Sequence, residues 1–196
     1  MVTPRNMTTI VWDVDDVLND LMSAWFHDAF LPHHPGCTVS YEQIAENPPH
    51  QVLGIAKQEY LDSLDAFRLS PRARCLTPHQ AILEWMREHG ARYRHVALTA
   101  RPLASAGPAA EWVFGHFGNW IRCFGVVPSR RDESVPFYDR DKADFLGWFR
   151  EADVFVDDSE ANVAAVEKLG VQGVVFPQPW NRRTNTVEDV LRMVTR

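Results

Sequence analysis

Apolar and polar positions change period several times along the chain, and each change marks an element. The run Thr9-Ile10-Val11-Trp12-Asp13-Val14 is short, apolar and β-branched, which predicts a strand over 9–14 after a frayed lead-in at 1–8. From Asp20 to Leu31 the residues Leu21, Met22, Trp25, Phe26, Ala29 and Phe30 recur at helical spacing. They predict a helix capped by Asp20 and stopped by Pro32 through Pro35. The stretch 36–75 shows no strand alternation. Ser40-Tyr41-Glu42-Gln43-Ile44 reads as a cap and first turn, and Gln51 to Leu64 predicts an amphipathic helix with Val52, Ile55, Tyr60 and Leu64 turned inward. Thr77-Pro78 then signals a new helix start, with Ile82, Leu83, Trp85 and Met86 on its apolar face and Gly90 just past its end. Beyond it the pattern predicts a strand over 94–98, a helix over 106–117 and a strand around 120–124. A polar, turn-rich stretch from Val127 to Asp141 follows. A helix over 142–149, a strand over 153–156, a helix over 160–169 closed by Gly170, a strand over 173–176 and a helix over 186–194 complete the chain.

Strands alternating with helices predict an α/β fold, a three-layer Rossmann-like parallel sheet with a small helical insert after the first strand. Residues 1–18 and 77–196 form the expected core and 19–76 the insert. A chain of 196 residues can bury one good core and little more. The net charge of -6, with arginines scattered, argues against a nucleic-acid polymer as partner but leaves a small phosphorylated molecule open. No segment has the length and apolarity of a membrane span, and the start lacks the apolar run of a signal peptide. Cys37, Cys75 and Cys123 have neither close pairing nor metal-like spacing, so a reducing, cytoplasmic location is expected. Oligomeric state is not encoded in any of these patterns.

The chemistry concentrates at strand ends. Asp13, Asp15 and Asp16 crowd the end of the first strand, and Asp157-Asp158-Ser159 follows Val154-Phe155-Val156 near the other end. Buried carboxylates repel one another, so two such clusters point to a shared cation or a reaction. In parallel sheets ligands bind beyond the carboxyl ends of the strands, where Asp13, Thr99 and Asp157 are all expected. Should the chain break into a loop after Asp13, that carboxylate can face a metal while Asp15 reaches over the substrate. Mg²⁺ suits such a site because it takes hard oxygen ligands and needs few of them from protein. Thr99 offers a hydroxyl and Lys142 a positive charge for phosphoryl oxygens. Arg101, Arg130 and Arg131 are candidates for a distal anion or for a solvated face. The histidines, including His27, His33, His34 and His50, form no transition-metal signature.

These motifs, in this order, resemble the haloacid dehalogenase superfamily, on its branch of Mg²⁺-dependent phosphatases. Asp13-Val14-Asp15-Asp16-Val17 matches the first motif, Leu98-Thr99 the second, Lys142 the third and Val156-Asp157-Asp158-Ser159 the fourth. The resemblance implies a phosphomonoester hydrolase acting on a small phosphorylated metabolite. It makes Asp13 the nucleophile, and Asp15 the general acid/base that also lends a backbone carbonyl to Mg²⁺. Asp158 becomes a metal ligand, and Asp157 a second ligand or holder of metal-bound water. Thr99, Ala100, Arg101 and Lys142 would bind the substrate's phosphoryl group. The alternatives are a phosphomutase, or a non-catalytic metabolite-binding or scaffold protein of the same fold. The insert at 19–76 lies where the family places its helical cap, and its compactness is similar to the deoxyribonucleotidase-like branch, whose substrates are nucleotides. Trp25, Phe26, Phe30, Tyr41 and Tyr60 would line such a cap or form its small core. Asp16, Asn19 and Asp20 have no role in the resemblance.

Overall fold

The structure is a computed structural model that describes residues 7–129, 136–181 and 183–195. Most of the lead-in (1–6) lies outside the described residues, as do Arg130 and Arg131. Five strands, β1 (Thr9–Trp12), β2 (Arg94–Arg101), β3 (Ile121–Pro128), β4 (Val154–Asp157) and β5 (Gln172–Val175), form one parallel sheet in the order β3-β2-β1-β4-β5. The first strand is thus the centre, and its neighbours are β2 and β4.

Side-chain alternation splits the interior into two layers. Ile10, Trp12, Ala97, Val154 and Val156 face one way. They meet Ile82 and Met86 of α5 (Gln80–His89), Trp112 and Val113 of α6 (Ala106–Phe117), and Val190 and Val194 of α9 (Val187–Val194). Val11, Val96, Leu98 and Phe155 face the other way, onto Phe145 and Leu146 of α7 (Lys142–Phe149) and Val163 and Val166 of α8 (Glu160–Glu167). Helices on both faces of a parallel sheet make the three-layer fold that the sequence predicts. The crossovers change face where the chain passes from β3 back to β4, which opens a crevice at the carboxyl ends of β1 and β4.

The helical insert lies between β1 and α5. Its first helix runs α1 (Leu21–Trp25), a π-helical turn (Phe26–Phe30) and α2 (Leu31–His33). It ends at His33, inside the Pro32–Pro35 stretch predicted to stop it, with Pro32 in its last turn. Asp20 makes no cap; Asn19 Oδ1 accepts from the Leu21 N–H at 3.1 Å and Asp16 Oδ1 from the Met22 N–H at 2.7 Å. The second helix, α3 (Lys57–Leu69), starts later than the 51–64 predicted, because Gly54 adopts a φ of 67° that a right-handed helix does not continue through, and it runs on to Leu69, where extended Ser70 before Pro71 ends it. The short α4 (Pro71–Arg74) follows, capped by Ser70.

Three other boundaries move for visible reasons. Helix α5 begins after His79 rather than Thr77, since Pro78 pairs with Asn19 and the His79 N–H is taken by the Leu18 carbonyl at 2.8 Å. Strands β2 and β3 pair out to Arg101 and Pro128, past the predicted ends. Gly90 ends α5 in right-handed geometry; a side chain there would meet the Trp120 ring, with Cδ1 2.7 Å from a Cβ. All three cysteines are free, and no helix among the described residues is long and apolar enough to cross a membrane.

Candidate active site

Alternation along β1 and β4 explains why the acidic clusters meet. The Asp13 N–H still bonds to the Val156 carbonyl at 2.8 Å, so Asp13 follows Val11 onto the α7 side of the sheet, as Asp157 follows Phe155. Lys142 is the first residue of α7 and points into the same space. Its Nζ lies 2.7 Å from Asp13 Oδ1 and 2.6 Å from Asp157 Oδ2, with 3 % of its side chain exposed. Asp13, Asp157 and Asp158 bring one oxygen each to within 4.8 Å of one another, all three buried.

Partners divide these carboxylates into distinct roles. Asp157 has the most partners: besides Lys142 it accepts from the Ser159 N–H at 2.8 Å and from Asn162 Nδ2 at 3.1 Å. Asp13 uses Oδ1 for Lys142 and the Val14 N–H, and Oδ2 has no hydrogen-bond partner among the described residues. Asp158 Oδ2 accepts from Trp180 Nε1 at 2.7 Å. Ser159, not Asp158, caps α8 by accepting from the Asn162 N–H.

Electrostatics shows what the cluster lacks. Burial pushes the Asp13 carboxyl well above the usual range, Lys142 opposes this, and Asp157 and Asp158 add to it. Burial and the adjacent Asp157 push Asp158 up to about 7. Asp16 is also raised, by burial and then by Asp158 and Asp15. Lys142 is held protonated: burial disfavours its charge, but Asp13 and Asp157 more than compensate. Three carboxylates against one ammonium leave a formal excess of two negative charges. An all-oxygen set with that excess fits a divalent hard cation such as Mg²⁺.

After Asp13 the chain leaves the sheet. Val14 O accepts from the Leu18 and Asn19 N–H groups in a turn, and Asp16 sits at a φ of 62°. The strand therefore ends at Trp12 instead of 14, and Asp15 is aimed away from the cluster. Two buried arginines grip it: Arg101 Nη2 at Oδ1, and Arg68 Nη2 at Oδ2, 3.0 Å away. Burial alone would raise Asp15, yet Arg101 and then Arg68 bring it below the ordinary carboxylate range. Arg101 also bonds through Nε to Thr99 Oγ1 at 3.2 Å, which leaves the Thr99 hydroxyl proton free to donate. Asp13, Asp15, Thr99, Ala100, Lys142 and Asp158 all line one cavity of about 160 Å³, roofed by Leu21, Met22, Asn47, Tyr60, Leu64 and Arg68 of the insert.

The sequence-predicted residues thus converge, but in two groups. Asp13, Lys142, Asp157 and Asp158 form one, and Asp15, Thr99 and Arg101 the other. Arg68, Asn162 and Trp180 are the members that sequence reasoning misses. Arg68 carried a signal, a cation four residues after Leu64 on the buried stripe of α3; the premature helix end at Leu64 concealed it. Of the insert's aromatics, Trp25, Phe26 and Phe30 are buried against one another, with Trp25 and Phe30 centroids 5.3 Å apart. Tyr41 reaches across to Gln178, and Tyr60 is the one aromatic at the cavity among the described residues.

No family model matches the chain, and no curated protein matches it in sequence. Solved structures do match over nearly its whole length. A haloacid dehalogenase-like family hydrolase from Streptococcus pneumoniae is 15% identical with a TM-score of 0.59, covering 95% of this chain and 90% of that one. A second hydrolase from Streptococcus pneumoniae, 10% identical, has a TM-score of 0.64 with coverages of 98% and 100%. The haloacid dehalogenase-type hydrolase YfnB from Bacillus subtilis, in a structure bound to magnesium, is 12% identical with a TM-score of 0.59 and covers 97% of each chain. The chain therefore has the fold of haloacid dehalogenase-like hydrolases, with an aspartate triad at the carboxyl end of its sheet.

Proposed function

We propose that the chain is a Mg²⁺-dependent phosphomonoester hydrolase that works through an aspartyl-phosphate on Asp13. The observation that carries this reading is the bridge of Lys142 between Asp13 and Asp157, 2.7 and 2.6 Å long, beside an oxygen cluster two charges short of neutrality. A purely structural core gains nothing from three buried carboxylates around one cation.

Asp13, the Asp15 carbonyl and Asp158 would hold Mg²⁺, with Asp157 as a further ligand or holder of its water. When bound, the ion supplies positive charge that keeps these carboxylates ionised and offsets the charge of the phosphoryl oxygens. Asp13 attacks phosphorus through its oxygen while the ester P–O bond breaks, and Asp15 gives the leaving oxygen a proton. Water then attacks the phosphoenzyme, the Asp13–P bond breaks, and Asp15 takes the water's proton. Lys142, the Thr99 hydroxyl and the Ala100 backbone N–H grip the phosphoryl oxygens. Ionised between two arginines, Asp15 is ready as the base of the second half-reaction; in the first it must take up a proton, from solvent or from the substrate's phosphate monoanion, as Arg68 releases it.

The helical segment over 19–76 serves as the cap. Its cavity of about 160 Å³ suits a small leaving group. With Trp25, Phe26 and Phe30 spent in the insert's own core, short aliphatic phosphates fit better than nucleotides. Phosphate release from a panel of esters, nucleoside monophosphates included, tests the reading with wild type and Asp13→Asn, with and without Mg²⁺. Release by wild type only with Mg²⁺, and a loss of at least about 10³-fold in the variant, is expected. Equal turnover by both proteins refutes the nucleophile, and phosphate retained on an isomeric product would point to a mutase.

A further inference from the structure

We propose that Arg68 receives a second anionic group of the substrate, so that the preferred esters are short phosphates bearing a further phosphate or carboxylate. This rests on the hydrolase reading for the transferred group and adds the chemistry of the leaving group. Arg68 occupies a position on α3 that an aliphatic residue would normally fill, four residues after Leu64 and eight after Tyr60, all buried. Burying a guanidinium is costly unless every donor finds an acceptor. Here Nη2 is on Asp15 at 3.0 Å and Nη1 on Asp65 at 3.1 Å, while Nε–H is buried with no acceptor. The residue is 9% exposed and lines the cavity.

The insert gives the cavity six wall residues, and Arg68 is the charged one among them. Arg101 cannot do the same work. Its Nε is spent on Thr99, its Nη1 on the Ser105 carbonyl and its Nη2 on Asp15. Asp15 already has its counter-ion in Arg101, so the contact from Arg68 is exchangeable. The side edge of a guanidinium, Nε–H with Nη2–H, matches the two oxygens of a carboxylate or phosphate. A substrate anion seated there satisfies the unpartnered Nε–H, takes Nη2 from Asp15 and leaves Asp15 on Arg101 alone.

A matched three-carbon series separates the possibilities: propyl phosphate, 3-phosphooxypropanoate and 1,3-propanediol bisphosphate. Wild type is expected to favour one or both doubly anionic esters by about tenfold or more in kcat/KM, and which one it favours identifies the anion. In Arg68→Met that ratio is expected to fall to within about twofold, whatever happens to the absolute rates. Arg68→Lys keeps the charge but not the paired edge, and covers the case in which Arg68→Met does not fold; its ratio is expected to drop severalfold. A wild-type ratio near one, or an unchanged ratio in either folded variant, overturns the inference. Calorimetry with propylphosphonate and 3-phosphonopropanoate reads the same preference without turnover. Preference there with no phosphate release from any ester would refute the hydrolase reading and leave the subsite standing. Release with no preference in either assay would do the reverse.

Discussion

Replacing Asp158 by Asn should stabilise the metal-free protein and weaken its response to Mg²⁺. The Asp158 carboxyl is pushed from 3.8 to about 7 by burial and by Asp157. That displacement, about three pH units, corresponds to roughly 4 kcal/mol at 1.36 kcal/mol per unit. The folded pKa is raised, so the cost is absent below the unfolded value near 3.8, grows as pH rises and is complete above about 7. An asparagine can still accept from Trp180 Nε1, but its amide must itself be desolvated, so about half the cost, ~2 kcal/mol, should be recovered. For a chain of this size that is a rise of ~4–8 °C in Tm. The assay is thermal unfolding by circular dichroism at pH 8, in EDTA and in millimolar Mg²⁺, and again in EDTA near pH 5. In EDTA at pH 8 the variant should melt higher than wild type, with a smaller advantage near pH 5. Mg²⁺ should raise wild type, by ~2.7 kcal/mol at a concentration 100 times Kd, and raise the variant far less. A variant that melts lower in EDTA at pH 8, or gains as much from Mg²⁺ as wild type, refutes the argument.

Lys142→Met leaves Asp13 and Asp157 buried without their counter-ion and should cost about 3–5 kcal/mol by denaturant unfolding in EDTA; a cost below 1 kcal/mol would contradict the charge balance described. His95 is buried, with Nδ1 accepting from Trp12 Nε1 at 3.1 Å and Nε2 donating to the Gly90 carbonyl at 3.0 Å, and burial depresses its pKa. A depressed histidine binds its proton more readily in the unfolded chain, so stability should fall as pH drops through about 6.5. His95→Gln should flatten that pH dependence of Tm, and an unchanged slope would rule out the neutral assignment. Gly125→Ala places a Cβ 2.7 Å from Phe145 Cζ and 3.0 Å from Leu98 Cδ1, and should cost about 1–3 kcal/mol in chemical denaturation. No measurable loss would mean that α7 packs less closely on β3 than described.

The sheet was legible because its central strands are apolar runs that stop at acids, and an apolar run buried on both faces has few other solutions. The same property exposed Asp13, Asp157 and Asp158, since a carboxylate at the end of a buried strand has no packing reason to be there. What stayed hidden was set by contacts distant in sequence. Pro78 looked like the first residue of a helix until Asn19 paired with it, and Asp16 and Asn19 looked idle because their work is done on the N–H groups of Met22 and Leu21. Arg68 was missed because the predicted helix stops at Leu64, whereas α3 runs on to Leu69 and carries Arg68 to Asp15. Trp180 follows β5 in a single 3-10 turn (Pro179–Asn181), too short for any periodicity, so nothing in its spacing announces Asp158 as its acceptor.

The most direct test is a crystal structure of the protein with Mg²⁺ and beryllofluoride. A trifluoroberyllate bonded to an Asp13 carboxylate oxygen is expected, its fluorines within reach of Lys142 and Thr99, with a cation touching Asp13 and Asp158. Beryllofluoride bonded elsewhere, or a cation held away from Asp13 and Asp158, would contradict the proposed function.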